Sequence, residues 1–216
     1  MEGKNTFFKQ KLTINIGGQL LTFSSPKVMG ILNLTPDSFY DGGKHHTITQ
    51  VLKQCEQMLQ EGAAIIDIGA YSSRPGAKAI SQEEEISRLL PLLKVILKEF
   101  SGTFISIDTF RSAVADVAVK EGAGIINDIS AGELDRDMFT TIARLKVPYI
   151  LMHMQGTPQT MSQHTNYANL PLAVCTYFVD KITELQQMGV VDLIIDPGFG
   201  FAKTTEQNYL LLNKLD

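Results

Sequence analysis

Six short apolar runs in this chain each close on a residue that can hydrogen-bond or hold a metal: Asn33, Asp67, Asp108, Asn127, His153 and Asp196. Asp108, Asn127 and Asp196 together supply two carboxylates and an amide, with few fixed cations. That set suits a ligand offering several N–H donors. A planar heterocycle with an amidine-like edge fits, because a carboxylate accepts two parallel hydrogen bonds from it. Its ring would lie between apolar walls, for which Met154, Phe199 and Phe201 are available.

Taken singly, each residue has a plainer role. An Asp or Asn after a strand is usually a cap or turn former. Asp67 keeps that role here, because Gly69 and the following loop offer it backbone donors. His153, between Met152 and Met154, reads as a satisfied core or rim histidine, and Gly198 and Gly200 read as a tight turn. Only the joint occurrence of Asp108, Asn127 and Asp196 favours a small polar ligand.

Two loops beside these run ends are rich in functional groups. "GILNLTPDSFYDGG" (Gly30 to Gly43) begins as a strand and passes through Asn33 into Asp37, Ser38 and Phe39. "GAYSSRPGAKA" (Gly69 to Ala79) carries Ser72, Ser73, Arg74 and Lys78 on a Gly/Pro scaffold. Arg74 and Lys78 are able to meet an anionic group of a substrate.

The elements that must position these residues follow from pattern. "KLTINIGGQLLTF" alternates polar and apolar residues around Gly17-Gly18, a hairpin signal. After Pro26, short apolar runs alternate with helical-period segments, the signature of βα units and a parallel sheet. Strands are expected over 28–32, 64–67, 104–107, 124–126, 148–152 and 192–195. Ser81-Gln-Glu-Glu resembles a capping box opening a helix whose stripe is Ile86, Leu89, Leu90, Leu93, Ile96 and Leu97. Pro91 is expected to kink it on the solvent side. Ile48, Val51, Leu52, Cys55 and Leu59 make a second stripe, with Gly62 as its left-handed cap. "QEGAAIID" (Gln60 to Asp67) recurs as "KEGAGIIN" (Lys120 to Asn127), fitting the second and fourth strands of a repeat.

Parallel strands in a barrel gather their carboxyl ends on one face. No G-x-G-x-x-G follows the first strand, so a doubly wound dinucleotide fold is the weaker choice. The fold class expected is α/β, of (β/α)8 TIM-barrel type, with about six βα units and an N-terminal hairpin. Residues 1–27 would cap a barrel formed by 28–216.

Composition narrows the function classes. Of the 216 residues 44% are hydrophobic and 19% charged, as in ordinary globular proteins. A net charge of −4 gives no electrostatic case for nucleic acid or anionic membrane. Cys55 and Cys175 share neither metal-ligand spacing nor a disulfide framework. No apolar run approaches a membrane span, and a cytoplasmic setting is the expectation.

The motifs "GILNLTPDSFYDGG", "IIDIGAYSSRPGA", "SIDTFR", "INDIS", "LMHMQGTP" and "IIDPGFGFAK" closely resemble, in order, those of dihydropteroate synthase, a sulfonamide target in folate biosynthesis. The resemblance implies a transferase joining 7,8-dihydropterin-6-ylmethyl diphosphate to p-aminobenzoate and releasing diphosphate. It implies that Ser73, Asp108, Asn127, Met154 and Asp196 bind the pterin diphosphate, and that Asn33 holds Mg²⁺. Phe39, Arg74, Pro75 and Phe201 would form the p-aminobenzoate pocket, with Asp108, Asp37 and Arg74 in catalytic roles. The family form is expected to be a homodimer.

Two other identities stay open. One is a methyltetrahydrofolate-using methyltransferase of the same barrel group, against which "TPDSF" and "SSRPG" argue. The other is a non-catalytic pterin-binding fragment. At roughly 31 residues per unit, eight units need about 250, and the family's later Ser-Arg-Lys and Arg-x-His segments are not in these 216 residues. This form is therefore expected to be impaired or inactive as an enzyme.

Overall fold

The computed structural model of the chain describes residues 12–34, 44–72 and 79–215. An antiparallel pair comes first, β1 (Thr13–Ile16) and β2 (Gln19–Thr22). Gly17 and Gly18 turn it at φ of 57° and 91°, a conformation that tight hairpins need and L side chains resist.

Strands and helices then alternate: β3 (Val28–Asn33), α1 (Lys44–Gln60), β4 (Ala63–Gly69), α2 (Gln82–Glu99), β5 (Phe104–Asp108), α3 (Ser112–Glu121), β6 (Ile125–Asp128), α4 (Met138–Leu145), β7 (Tyr149–Met152), α5 (Leu170–Gln187), β8 (Leu193–Asp196) and α6 (Thr205–Leu212). The sheet runs β3-β4-β5-β6-β7-β8, with every pair parallel. A doubly wound sheet would reverse its order at a switch point, whereas unbroken sequence order is the winding of a TIM barrel. The barrel-type expectation therefore holds, and the sixty-residue echo falls on β4 and β6, its second and fourth strands.

The two faces of the sheet differ as period two demands. On the outer face Leu32, Ile66, Ile68, Ile105, Ile107 and Ile126 are buried against the helices, including Val51 and Cys55 of α1 and Leu89, Leu93 and Ile96 of α2. Each such side chain contributes about 1.5–3 kcal/mol when fully buried. Burial also pushes the Cys55 thiol up to about 11. On the inner face, near the strands' N-terminal ends, Ile65, Ile125 and Ile150 pack with Ile14, Ile16 and Leu21 of the hairpin. An added Cβ on Gly124 would come within 2.4 Å of Ile16 Cγ2, so glycine there is what lets the hairpin seat.

Two local expectations, the capping box and the strand ends, are modified, and Pro91 falls on the solvent side. Ser81 caps α2 by accepting from the Glu84 N–H at 3.2 Å, but the Glu84 carboxylate pairs with Arg88 four residues on, where helical spacing brings the charges together. The helix runs through Pro91, which stands on the exposed face. β3 and β4 are also longer than their apolar runs, so Asp67 lies inside β4 rather than after it.

Asp128 ties the end of β6 to β7. Its Oδ1 accepts from the N–H and hydroxyl of Ser130, each at 2.7 Å, and its Oδ2 from Gly132 N–H at 2.8 Å and Tyr149 Oη at 2.7 Å. Burial raises its pKa, and these donors work against that rise. Tyr149→Phe is expected to cost about 1–3 kcal/mol, because it removes a donor from a buried acceptor. Urea denaturation would register this as a lower midpoint at unchanged slope; an unmoved midpoint would mean the hydroxyl contributes nothing.

Candidate functional site

Asn33, Gly69, Asp108 and Asn127 are register partners on four successive strands, so their side-chain positions share the inner face. Gly69 has no Cβ, and that space matters. A Cβ built there would lie 3.1 Å from Asp108 Oδ2 and 3.6 Å from Asn33 Oδ1. The glycine thus lets a carboxylate oxygen and an amide oxygen converge at the mouth.

Asp67, one period earlier on the same face, accepts from Asn127 Nδ2 at 2.9 Å. A carboxylate oxygen accepts, so the amide nitrogen is committed and Asn127 Oδ1 is left as an acceptor. Asp67 Oδ1 and Ser106 Oγ are both buried and make no hydrogen bond of good geometry among the described residues, although the Ser106 hydroxyl lies near enough to act on the carboxylate. Asp67 is therefore not the turn former that its place in sequence suggests; its side chain belongs to the interior of the ring.

The electrostatics follow from this crowding. Burial first, then the charges of Asp67, Glu85 and Asp128, hold the Asp108 pKa well above the ordinary carboxylate range. Burial likewise raises Asp67, with the Ser106 hydroxyl and the Asn127 amide working the other way. Close carboxylates in a desolvated site resist ionising together.

Behind Asp108 stands an ion pair whose acid belongs to none of the sequence motifs. Glu85 is buried on α2; its Oε1 accepts from Thr109 Oγ1 at 2.7 Å and its Oε2 from Arg111 at 2.5 Å. Burial raises the Glu85 pKa, and Thr109 and Arg111 counteract it. Arg111 also donates to Ile80 O at 2.6 Å, with its guanidinium 5.3 Å from the Tyr71 ring and 5.2 Å from the Phe110 ring. It joins the segment entering α2 to the one entering α3. A signal for Glu85 exists in sequence: it stands at helical spacing from Leu89 and Leu93, an acid on an apolar stripe.

Asp196 ends β8 as the register partner of Met152. Its Oδ1 accepts from Gly198 N–H at 2.8 Å. Met152, Met154, Met161, Ile129 and Ala202 form an apolar cluster against which Phe201 packs. Phe199 does not join it; that side chain is 40% exposed and lines a cleft with Tyr209 and Leu212 of α6.

His153 also leaves the ring, as its plainer role suggested. It is buried, with its imidazole packed by Tyr167, Tyr177 and Phe178. Its Nδ1 is 3.0 Å from Lys203 Nζ, and burial followed by that ammonium lowers its pKa to about 4. Lys203, 7% exposed, has no periodicity that singles it out in sequence. Its ammonium also donates to the carbonyls of Phe201 (2.9 Å), Gly198 (3.0 Å) and His153 (3.2 Å).

The structure thus brings Asn33, Asp67, Asp108 and Asn127 together, with Asp196 at the same carboxyl end of the sheet and Met154 and Phe201 in one apolar cluster. Asp37, Phe39, Ser73, Arg74 and Pro75, together with Lys78, lie outside the described residues.

Residues 29–216 match the family model described as pterin binding enzyme. Over 191 residues the chain is 48% identical to the pea (Pisum sativum) mitochondrial folate synthesis bifunctional protein, an alignment covering 86% of this chain and 37% of that one. Over 200 residues it is 42% identical to the dihydropteroate synthase of Escherichia coli K12, covering 92% and 70%. Among solved structures, dihydropteroate synthase of Xanthomonas albilineans with 4-aminobenzoic acid superposes with a TM-score of 0.86 at 38% identity, over 95% of this chain and 73% of that one. The chain therefore spans well under two thirds of the bifunctional relative and close to three quarters of the others. Barrel winding, an acceptor-lined inner mouth and these matches agree that the chain belongs to the pterin-binding enzyme family, among the dihydropteroate synthases.

Proposed function

We propose that this chain carries the site that binds 7,8-dihydropterin-6-ylmethyl diphosphate in an enzyme that joins its methylene carbon to the amine of p-aminobenzoate, and that these 216 residues alone are impaired in turnover. The observation that carries this is the orientation of Asn127. With its nitrogen given to Asp67, it offers an acceptor beside the Asp108 carboxylate, and the second oxygen of Asp196 stands free of the Gly198 bond. A pterin edge carries ring N–H groups and an exocyclic amine, the donors such a site lacks. Met154 and Phe201 supply an apolar wall for the ring. Departure of diphosphate takes the C–O bonding pair with it and leaves positive charge on the pterin methylene, which the carboxylates stabilise. The arylamine then forms the C–N bond and loses a proton. In this proposal Ser73 contacts the pterin diphosphate, while Phe39, Arg74 and Pro75 line the second pocket and Asp37 acts beside them.

Asn33 is the residue that would hold Mg²⁺. Its Oδ1 and Asp108 Oδ2 approach the same point above Gly69, and oxygen donors are what this hard cation takes. Among the described residues there is no group of three His, Cys, Asp or Glu that could hold a metal. One or two protein oxygens plus substrate phosphates suffice for Mg²⁺. When bound, the ion supplies neutralisation of the leaving diphosphate. A homodimer and a cytoplasmic setting complete the proposal.

The primary test is turnover by these 216 residues beside a version extended by the natural downstream sequence: diphosphate release should require p-aminobenzoate and yield dihydropteroate in the extended version, and be much slower in the shorter one. Release that ignores p-aminobenzoate would reject the assignment. Asp196→Asn separates the two sites. Its amide oxygen would keep the Gly198 bond and turn an N–H toward the pterin's own donors, so calorimetry should show pterin affinity falling about tenfold or more, as ~1–3 kcal/mol implies. Unchanged pterin binding would remove Asp196 from the site. Mg²⁺ should strengthen binding of the pterin diphosphate but not of a pterin lacking diphosphate. Asn33→Ala should abolish that difference; if the difference survives, Asn33 is not the ligand.

A further inference from the structure

Lys203 is a buried cation outside the acceptor ring, and its environment is unusual for lysine. A well-satisfied ammonium makes three bonds. This one has three carbonyls and an imidazole nitrogen within 3.2 Å. Because a carbonyl can only accept, the three carbonyls fix the ammonium as donor, and His153 Nδ1, a fourth neighbour, shares one of its three N–H groups when the ring proton is on Nε2. The carbonyls come from two chain segments: His153 directly follows β7, whereas Gly198 and Phe201 belong to the loop after β8.

The two segments touch directly. A Cβ on Gly198 would fall 2.2 Å from His153 O, and Gly198 has φ of 71°. Only glycine permits that approach, and the two carbonyls it brings near each other repel unless a donor sits between them. Lys203 is that donor. The Gly198 residue is then held from both sides, its carbonyl by Lys203 at 3.0 Å and its N–H by Asp196 Oδ1 at 2.8 Å.

We propose that Lys203 is a positioning residue for Asp196, acting through the Gly198 backbone to hold the carboxylate with one oxygen engaged and the other presented to the ligand. It touches no substrate. The same clip holds the carbonyl of Phe201, whose ring packs against the apolar cluster that contains Met154. The proposal deepens the pterin-site assignment and rests on it for the ligand, though not for the backbone geometry. Burial lowers the Lys203 pKa to about 8, with Asp196 opposing that shift.

Lys203→Met keeps the length and apolar stem and removes the donors. In the full chain, hydrogen exchange of the Gly198 amide should accelerate at least tenfold, while amides of the central strands, such as Ile126 and Leu151, keep wild-type rates. Calorimetry with 6-hydroxymethylpterin should show affinity at least tenfold weaker at a temperature where both proteins are fully folded, since the loss of a donor to three carbonyls lowers the melting temperature as well. Lys203→Gln, which retains one N–H donor, should fall between the two and serves in place of the methionine variant if that one fails to fold. Unchanged exchange at Gly198 would overturn the inference whatever the ligand result. So would a loss of pterin affinity that only accompanies global loss of protection. Failure of the wild-type chain to bind 6-hydroxymethylpterin would instead count against the pterin assignment, and the exchange measurement would still decide the role of Lys203.

Discussion

Asp67 and Asp108 share the inside of one barrel, and two carboxylates so placed in a low-dielectric interior resist being ionised together. Much of the site reads as a response to that constraint. Asn127 gives its amide nitrogen to Asp67, so one carboxylate has a donor and the amide turns its oxygen outward. Gly69 withholds a side chain, which lets Asp108 reach beside Asn33. The result is a surface of acceptors with very few donors. An interior of that kind is a poor structural core, since an unpaired buried polar atom costs about 1–3 kcal/mol. It is well suited to a ligand that brings donors of its own.

Charge is arranged in depth around this surface. Glu85, one layer back on α2, adds to the negative field at Asp108, yet Arg111 and Thr109 satisfy both its oxygens. A buried pair like Glu85–Arg111 contributes little net stability, because desolvation offsets much of the attraction. Its geometry contributes more. Arg111 reaches the Ile80 carbonyl and lies against Tyr71 and Phe110, which fixes the segments leaving β4 and β5 relative to each other. Tyr71 Oη in turn accepts from Gln159 Nε2 at 3.2 Å. The connections after β4, β5 and β7 are thereby linked across the mouth.

The fold was legible because its causes are local and periodic. Apolar runs of strand length, a Gly-Gly turn and two helical stripes each have a short-range cause, and strand order follows from repetition of one unit. Asp108, Asn127 and Asp196 were legible for a related reason: each ends a strand, and strand ends in a barrel share a face. Orientation was not legible. Asp67 and His153 also close apolar runs, but a single residue of offset decides which side of the sheet a side chain meets. β4 extends to Gly69, which keeps Asp67 inside. β7 ends at Met152, whose partner is the inward Asp196, and the next residue, His153, turns to the helices.

Lys203 and Arg111 escaped for a different reason. A cation's role depends on which carbonyls and carboxylates converge around it, and those come from segments far apart in sequence: Lys203 meets His153 across fifty residues, and Arg111 meets Ile80 and Glu85 across 31 and 26. No periodicity encodes such convergence. The glycines come closer to encoding it, since Gly69 and Gly198 each stand where a neighbouring group fills the space of a side chain. One clears room for the Asp108 carboxylate and the other for the His153 carbonyl. In both cases the polar group that moves in lacks a donor of its own. At Gly198 the chain supplies that donor from Lys203, whereas at Gly69 the carboxylate and amide oxygens face the mouth, where a metal ion or a ligand's N–H would have to supply the missing positive charge.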